Sequence, residues 1–188
     1  MTLASAASTI EAKFPVQKRS EFCGETTLVI ARESIGDVCR FCKDELGFDM
    51  LLDITSIDNF GSEPRFELVY ELYSMAAGIH LRLKFSVSED QLEVPTISNV
   101  WATANWHERE IFDMMGITFA GHPDLRRILM WDGYPYYPLR KDFPLGGKSS
   151  DVPEVAFTRP APLEGGPFVT LPSSATVKDR EPRARRVD

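Results

Sequence analysis

Side chains capable of chemistry are densest in His107-Glu108-Arg109-Glu110, with Asp113 just beyond and His122, Asp124, Arg126 and Arg127 further on. Imidazole and carboxylate together are the ligand set of a catalytic zinc, and His-Glu is how the metal-binding helix of a zinc protease begins. That helix needs a second histidine four residues after the first, and Ile111 holds the place, so the reading fails on spacing. A site built from His107, His122 and a carboxylate stays open as an alternative, and with it a stand-alone metal-dependent hydrolase. Cys39-Arg40-Phe41-Cys42 is the one C-x-x-C, and with Cys23 the chain has three cysteines, one too few for an all-thiolate iron–sulfur cluster. Both thiols fall on the apolar stripe of a predicted helix, away from the helix N-terminus where a reactive pair sits, so they read as structural. Gly146-Gly147-Lys148-Ser149 imitates the end of a phosphate loop but lacks the first glycine and follows no predicted strand. The chain therefore reads as a binding and assembly module with no catalytic residue, metal or cofactor of its own.

The elements that carry these residues follow from periodicity. From Ile97 to Met115 the spacing predicts one helix, with Ile97, Trp101, Ala104, Ile111 and Met115 on a stripe and His107 and Glu108 in its middle. Buried charges of that kind need hydrogen bonds or opposite charges from another element or another chain. Arg109 stands four residues before Asp113, within reach of an intrahelical ion pair. Beyond Gly116 the prolines, basic residues and aromatics up to Leu145 exclude a long helix or a central strand, which predicts an extended arm with the composition of an interface core.

These two segments carry a resemblance. Glu108, Arg109, Glu110, Asp113, Met114, Met115, His122, Arg126, Ile128 and Leu129 fill every fixed place of the signature of the thirty-kilodalton subunit family of NADH-quinone oxidoreductase, respiratory complex I. Pro138-Leu139-Arg140-Lys141-Asp142-Phe143-Pro144 resembles a second hallmark of that family. The resemblance spans Thr27 to Leu145. It implies a protein that binds no flavin, cluster or quinone itself, within a complex that uses NADH, FMN, Fe–S clusters and quinone. It also implies that the arm lies against the quinone-cavity subunit, the neighbour that helps form the quinone site, among the other peripheral-arm subunits. The complex it implies sits at the cytoplasmic face of a bacterial inner membrane. On this reading Glu108, Arg109, Glu110 and Asp113 form a charge network fixing the helix to the arm or the partner. His122 and Asp124 belong to the same signature, and Arg126, Arg127, Arg140 and Lys141 meet acidic or carbonyl groups on the quinone-cavity subunit. Pro123, Pro138 and Pro144 pre-set the extended shape, with Leu139, Asp142 and Phe143 between the last two. The equivalent component of an energy-converting hydrogenase, or of a quinone oxidoreductase with another donor, fits the same residues.

Upstream, Thr27–Ala31 reads as a first strand, and Ser34 with Asp37 as a capping box opening a helix closed by Gly47. A strand over about Phe48–Ile57 follows. Phe66–Tyr73 and Ile79–Val87 then alternate apolar and polar residues, and a Met75–Gly78 loop sets Leu72 opposite Leu81, Tyr70 opposite Leu83, Leu68 opposite Phe85 and Glu71 opposite Arg82. The predicted class is α+β, a mainly antiparallel sheet with helices on one face. The domain reading is 1–26 as an N-terminal extension, 27–119 as the globular domain, 120–145 as the arm and 146–188 as an irregular tail.

With 188 residues, 43% hydrophobic, the length suits one domain and an arm, and a net charge of −7 argues against nucleic acid as the main partner. Met1 to Glu11 has no basic region and no sustained apolar run, which supports neither a secretory signal nor a transit peptide. Nor is any apolar run long enough to span a bilayer. The expectation is a cytosolic chain that reaches a membrane only through something embedded there.

Overall fold

A computed structural model describes residues 2–145. The expected irregular tail, 146–188, lies outside the described residues.

The centre is the hairpin of β4 (Phe66–Ser74) and β5 (Ile79–Val87), which pairs in the predicted register, Leu72 with Leu81, Tyr70 with Leu83, Leu68 with Phe85 and Glu71 with Arg82. On the apolar face Phe66, Leu68, Tyr70, Leu72, Leu81, Leu83 and Phe85 are buried. On the other face Arg82 Nε donates to Glu71 Oε1 at 2.5 Å and Lys84 reaches Glu67 at 3.2 Å. A slip of one residue would exchange the two faces, so the register is fixed by burial and by charge together. β3 (Met50–Asp58) pairs antiparallel with β4, while β2 (Glu25–Ile30) joins β5 in parallel. β1 (Val16–Phe22) pairs antiparallel with β2, giving the order β1-β2-β5-β4-β3. The fold is α+β and mainly antiparallel, as the pattern predicts.

The strand predicted to be first is therefore the second. Residues 1–26, read as an extension, carry β1 and helix α1 (Leu3–Lys13), which buries Ala6, Ala7 and Ile10 and packs on β2 and β5. α1 opens with a capping box between Thr2 and Ser5, Ser5 N donating to Thr2 Oγ1 at 3.2 Å and Thr2 N to Ser5 Oγ at 3.1 Å.

The capping box predicted at Ser34 does not form. Ser34 ends a 3-10 turn (Arg32–Ser34) with helical backbone angles, φ −86° and ψ −8°, whereas a capping side chain needs an extended backbone. α2 (Ile35–Asp44) follows, burying Ile35, Val38, Cys39 and Cys42. Gly47 does close it, at φ +66°, turning the chain so that Phe48 N donates to Cys42 O at 2.9 Å.

The helix predicted from Ile97 also needs correcting. α3 runs from Ala104 to Met115 and is capped by Gly116 at φ +75°. Residues 97–103 are turns whose backbone bonds, Val100 N to Ile97 O and Ala104 N to Trp101 O, imitate helical spacing. They stay out of the helix because Lys43 takes the Val100 carbonyl, which an α-helix would offer to the Ala104 amide. On either side of α3 in the chain, β6 (Glu93–Pro95) and β7 (Thr118–Ala120) pair in parallel, a two-stranded sheet not predicted from the sequence.

By internal contacts one unit runs from Met1 to Leu129 and a second begins at Met130. In the second, Met130–Leu145 holds neither helix nor strand. Its aromatics follow one another in contact, Trp131 with Tyr134 at 4.6 Å, Tyr134 with Tyr136 at 5.7 Å and Tyr136 with Phe143 at 6.1 Å between ring centres.

Candidate functional site

α3 buries Ala104, Ile111 and Met115 along one stripe, and that stripe also carries Glu108 into the interior with no exposed surface. Two donors meet its carboxylate, Thr96 Oγ1 at 2.5 Å and the Ile97 amide at 2.7 Å. Burial pushes the Glu108 carboxyl up to about 7, against the pull of those two hydrogen bonds, which favour the ionised form. His122 Nε2 lies 3.9 Å from Glu108 Oε2 and 3.2 Å from the Asn105 carbonyl, and its Nδ1 accepts the Asp124 amide at 3.0 Å. An acceptor at Nδ1 places the imidazole proton on Nε2, facing both oxygens. Glu108 thus ties α3 to the 96–97 turn, and His122 ties the chain after β7 back to α3.

Further along α3, Arg109 and Asp113 take separate partners in residues 126–129. Arg109 Nε and Nη2 donate to the carbonyls of Arg126 and Arg127 at 3.1 and 3.2 Å, with the guanidinium 5.1 Å from the Trp106 ring. Asp113 Oδ2 accepts the amides of Ile128 and Leu129 at 3.0 and 2.7 Å, and its Oδ1 meets Arg127 Nη1 at 2.5 Å. The expected intrahelical pair gives way because both groups find backbone partners in 126–129. The carbonyls go to the cation and the amides to the anion. Four consecutive residues without regular structure are thereby fixed to a helix.

The remaining signature residues divide by exposure. Glu110, Asp124 and Arg126 are exposed, as is Pro123, with Arg126 Nε 2.9 Å from Asp124 Oδ2. In the second unit Arg140 lies over the Tyr137 ring at 4.6 Å, Pro138 and Phe143 are half-buried, and Leu139, Lys141, Asp142 and Pro144 are exposed. Trp106 and Leu129 expose large apolar surface, 60% and 61%.

The two histidines of the alternative metal site are not brought together. His107 Nδ1 faces Asp53 at 3.1 Å while His122 stands with Glu108, and among the described residues no three candidate ligands converge. Cys39 and Cys42 are buried in α2, where burial raises both thiols, Cys42 to about 12. That environment suppresses thiolate chemistry.

Sequence reasoning missed Thr96, the Ile97 amide, Asn105 and the amides of Ile128 and Leu129, all partners of the charged helix or of His122. A backbone group has no signature of its own. The available clue was the excess of charge over what intrahelical pairs could satisfy.

The buried charges of one helix in this α+β domain hold backbone of the segments on either side of it. The family model for the respiratory-chain NADH dehydrogenase, 30 Kd subunit, matches residues 28–149, and the chain belongs to that family. The NADH-quinone oxidoreductase subunit of this type from Geobacter sulfurreducens is 50% identical over 128 residues, 68% of this chain and 79% of that protein. Its counterpart from Rhizobium meliloti is 46% identical over 143 residues, 75% of this chain and 78% of that one. Among solved structures, the trypsin-resistant fragment (1-134) of Nqo5 superposes with a TM-score of 0.59 at 32% identity, over 66% of this chain and all of the fragment. A component of the archaeal membrane-bound sulfane sulfur reductase superposes with a TM-score of 0.66 at 26% identity, over 76% of this chain and 85% of that one.

Proposed function

We propose that the chain is a non-catalytic assembly component in the peripheral arm of a proton-translocating NADH-quinone oxidoreductase, where it binds the quinone-cavity subunit. One observation carries this reading. The buried signature charges Glu108, Arg109 and Asp113 are consumed in fixing the 96–97 turn and residues 126–129, while Arg126 and Leu129 of the fixed strip, and Trp106 beside it, remain exposed. Rigid presentation of a mixed apolar and basic strip lowers the ordering cost of binding. Arg140, Lys141 and the prolines of the second unit meet acidic and carbonyl groups of the partner on their own account. The chain holds no cofactor itself. NADH, FMN, Fe–S clusters and quinone belong to its partners, and it supports their electron transfer by keeping the quinone-side components together. No helix among the described residues is long and apolar enough to cross a membrane, so attachment to the cytoplasmic face of a bacterial inner membrane runs through the complex.

The likeness to the sulfane sulfur reductase complex favours a second reading, the equivalent component of a related energy-converting complex with a different electron donor or acceptor. Purification through a tag on this chain from detergent-solubilised host membranes, with assay of NADH oxidation by a quinone acceptor, separates the two. A quinone-reducing assembly that contains the quinone-cavity subunit and is active with NADH is expected. An assembly inactive with NADH supports the second reading, and recovery of the chain alone rejects both.

A further inference from the structure

A groove of about 690 Å³ opens on the first unit between the 3-10 turn at Arg32–Ser34, the segment entering β6, and β7. Leu92, Val94, Pro95 and Ala120 give it a mostly apolar lining, and its charged side chains are Arg32, Glu33, Asp90 and Glu93. Arg32 is committed to the walls. Its Nη1 and Nη2 donate to the Gln91 carbonyl and to Gln91 Oε1 at 3.1 and 3.3 Å, and its Nε donates to Glu33 Oε1 at 3.2 Å. The guanidinium thus ties the turn to the 90–91 segment. Asp90 and Glu93 are exposed, and among the described residues their carboxylates have neither a hydrogen bond nor an ion pair. Three carboxylates against one guanidinium leave two negative charges uncompensated above an apolar floor.

That combination narrows the occupant. Such a rim repels phosphate, which excludes a nucleic acid or an anionic lipid headgroup. Among the described residues no three candidate ligands converge, so the carboxylates do not form a cage for a metal ion. A cationic side chain satisfies Asp90 or Glu93, and an apolar neighbour on the same chain covers the floor. A second copy of this chain is a poor match, since each copy brings a net charge of −7. Because Arg32 already holds the two walls together, little ordering is left for the moment of binding.

We infer that this groove is a docking site for a segment of a partner in the complex that carries Lys or Arg beside an apolar side chain. This rests on the assembly reading above. It adds a contact made by residues outside the family signature.

The test uses the full chain and the complex purified through its tag. A photoreactive phenylalanine analogue in place of the exposed Ala120 leaves every groove carboxylate intact. Ala120 pairs with Pro95, two residues beyond Glu93, so the link is expected in a partner segment with Lys or Arg within about three positions, the reach of an extended chain. Asp90→Lys combined with Glu93→Lys is expected to lower recovered complex by about tenfold. Both positions are exposed and unpaired, so the free double variant should melt as the parent does. A link to a segment without a basic residue, or no link in a complex that is recovered, overturns the docking site and leaves the assembly reading standing. Full recovery of the double variant in the complex does the same. A link within this chain or to a second copy identifies another occupant and also overturns the inference. Recovery of the chain without partners overturns both readings.

Discussion

Asp113 and Arg127 meet at 2.5 Å across a separation of fourteen residues, the carboxylate fully buried and the guanidinium nearly so. The same carboxylate holds two amides, and Arg127 also donates to the Asp113 carbonyl at 2.9 Å. The pair is a clamp between a helix and an irregular strip, and its worth lies in position more than in net charge attraction.

Arg127→Ala leaves Asp113 buried without this counter-charge, so the free chain should lose about 3 kcal/mol of stability, in the range for breaking a buried pair. Arg127→Ala and Asp113→Asn combined should cost less than the sum of the two. Urea unfolding of the four members of the cycle measures the coupling, and strict additivity would show that the residues do not interact.

Glu108 sets a pH dependence. Its folded-state value near 7 lies above the ordinary 4.5, so between these values the folded chain holds the proton more tightly than the unfolded one. The stabilising contribution is complete below about 4.5, declines as pH rises and is gone above about 7, a difference of about 3 kcal/mol. Glu108→Gln keeps the shape and removes the titration. Subtracting its stability profile from that of the parent should leave a slope confined to that window, and a flat difference would refute the assignment.

Arg126 is exposed, and its side-chain partner Asp124 is exposed too. Such pairs contribute about 0–1 kcal/mol, so Arg126→Ala should melt within a degree or two of the parent yet reduce the complex recovered from membranes. Arg140→Ala is expected to behave in the same way. A drop in melting temperature with normal assembly would reverse the assignment.

The three cysteines should respond unequally. Cys23 is exposed, while burial raises the thiols of Cys39 and Cys42. A thiol reagent at neutral pH should modify one cysteine of the native chain quickly and the other two only on unfolding. Rapid reaction of all three would mean that α2 is open to solvent.

The β4–β5 register was legible because burial on one face and Glu71 opposite Arg82 on the other both required it. α1 was not, since Ala6 and Ala7 are too small to mark a stripe and Ile10 stands alone. The helix predicted from Ile97 was too long because Ile97 and Trp101 are buried at helical spacing by turns, and Lys43 holds the Val100 carbonyl that a helix would offer to the Ala104 amide. At the site, the sequence located the charged helix and required partners for it. It could not identify them, because most are backbone groups selected by tertiary approach. Arg109 and Asp113 sat at a spacing that suits an ion pair, and the stronger claims of the 126–129 backbone took each of them elsewhere.

On the function proposed, the buried signature charges serve architecture and not turnover. Quinone-reducing activity per assembled complex, measured for Arg109→Lys and Asp113→Asn beside the parent, tests it most directly. Less complex, with unchanged activity in each complex that forms, is expected. Full assembly with activity lost would contradict it and place these residues in the chemistry.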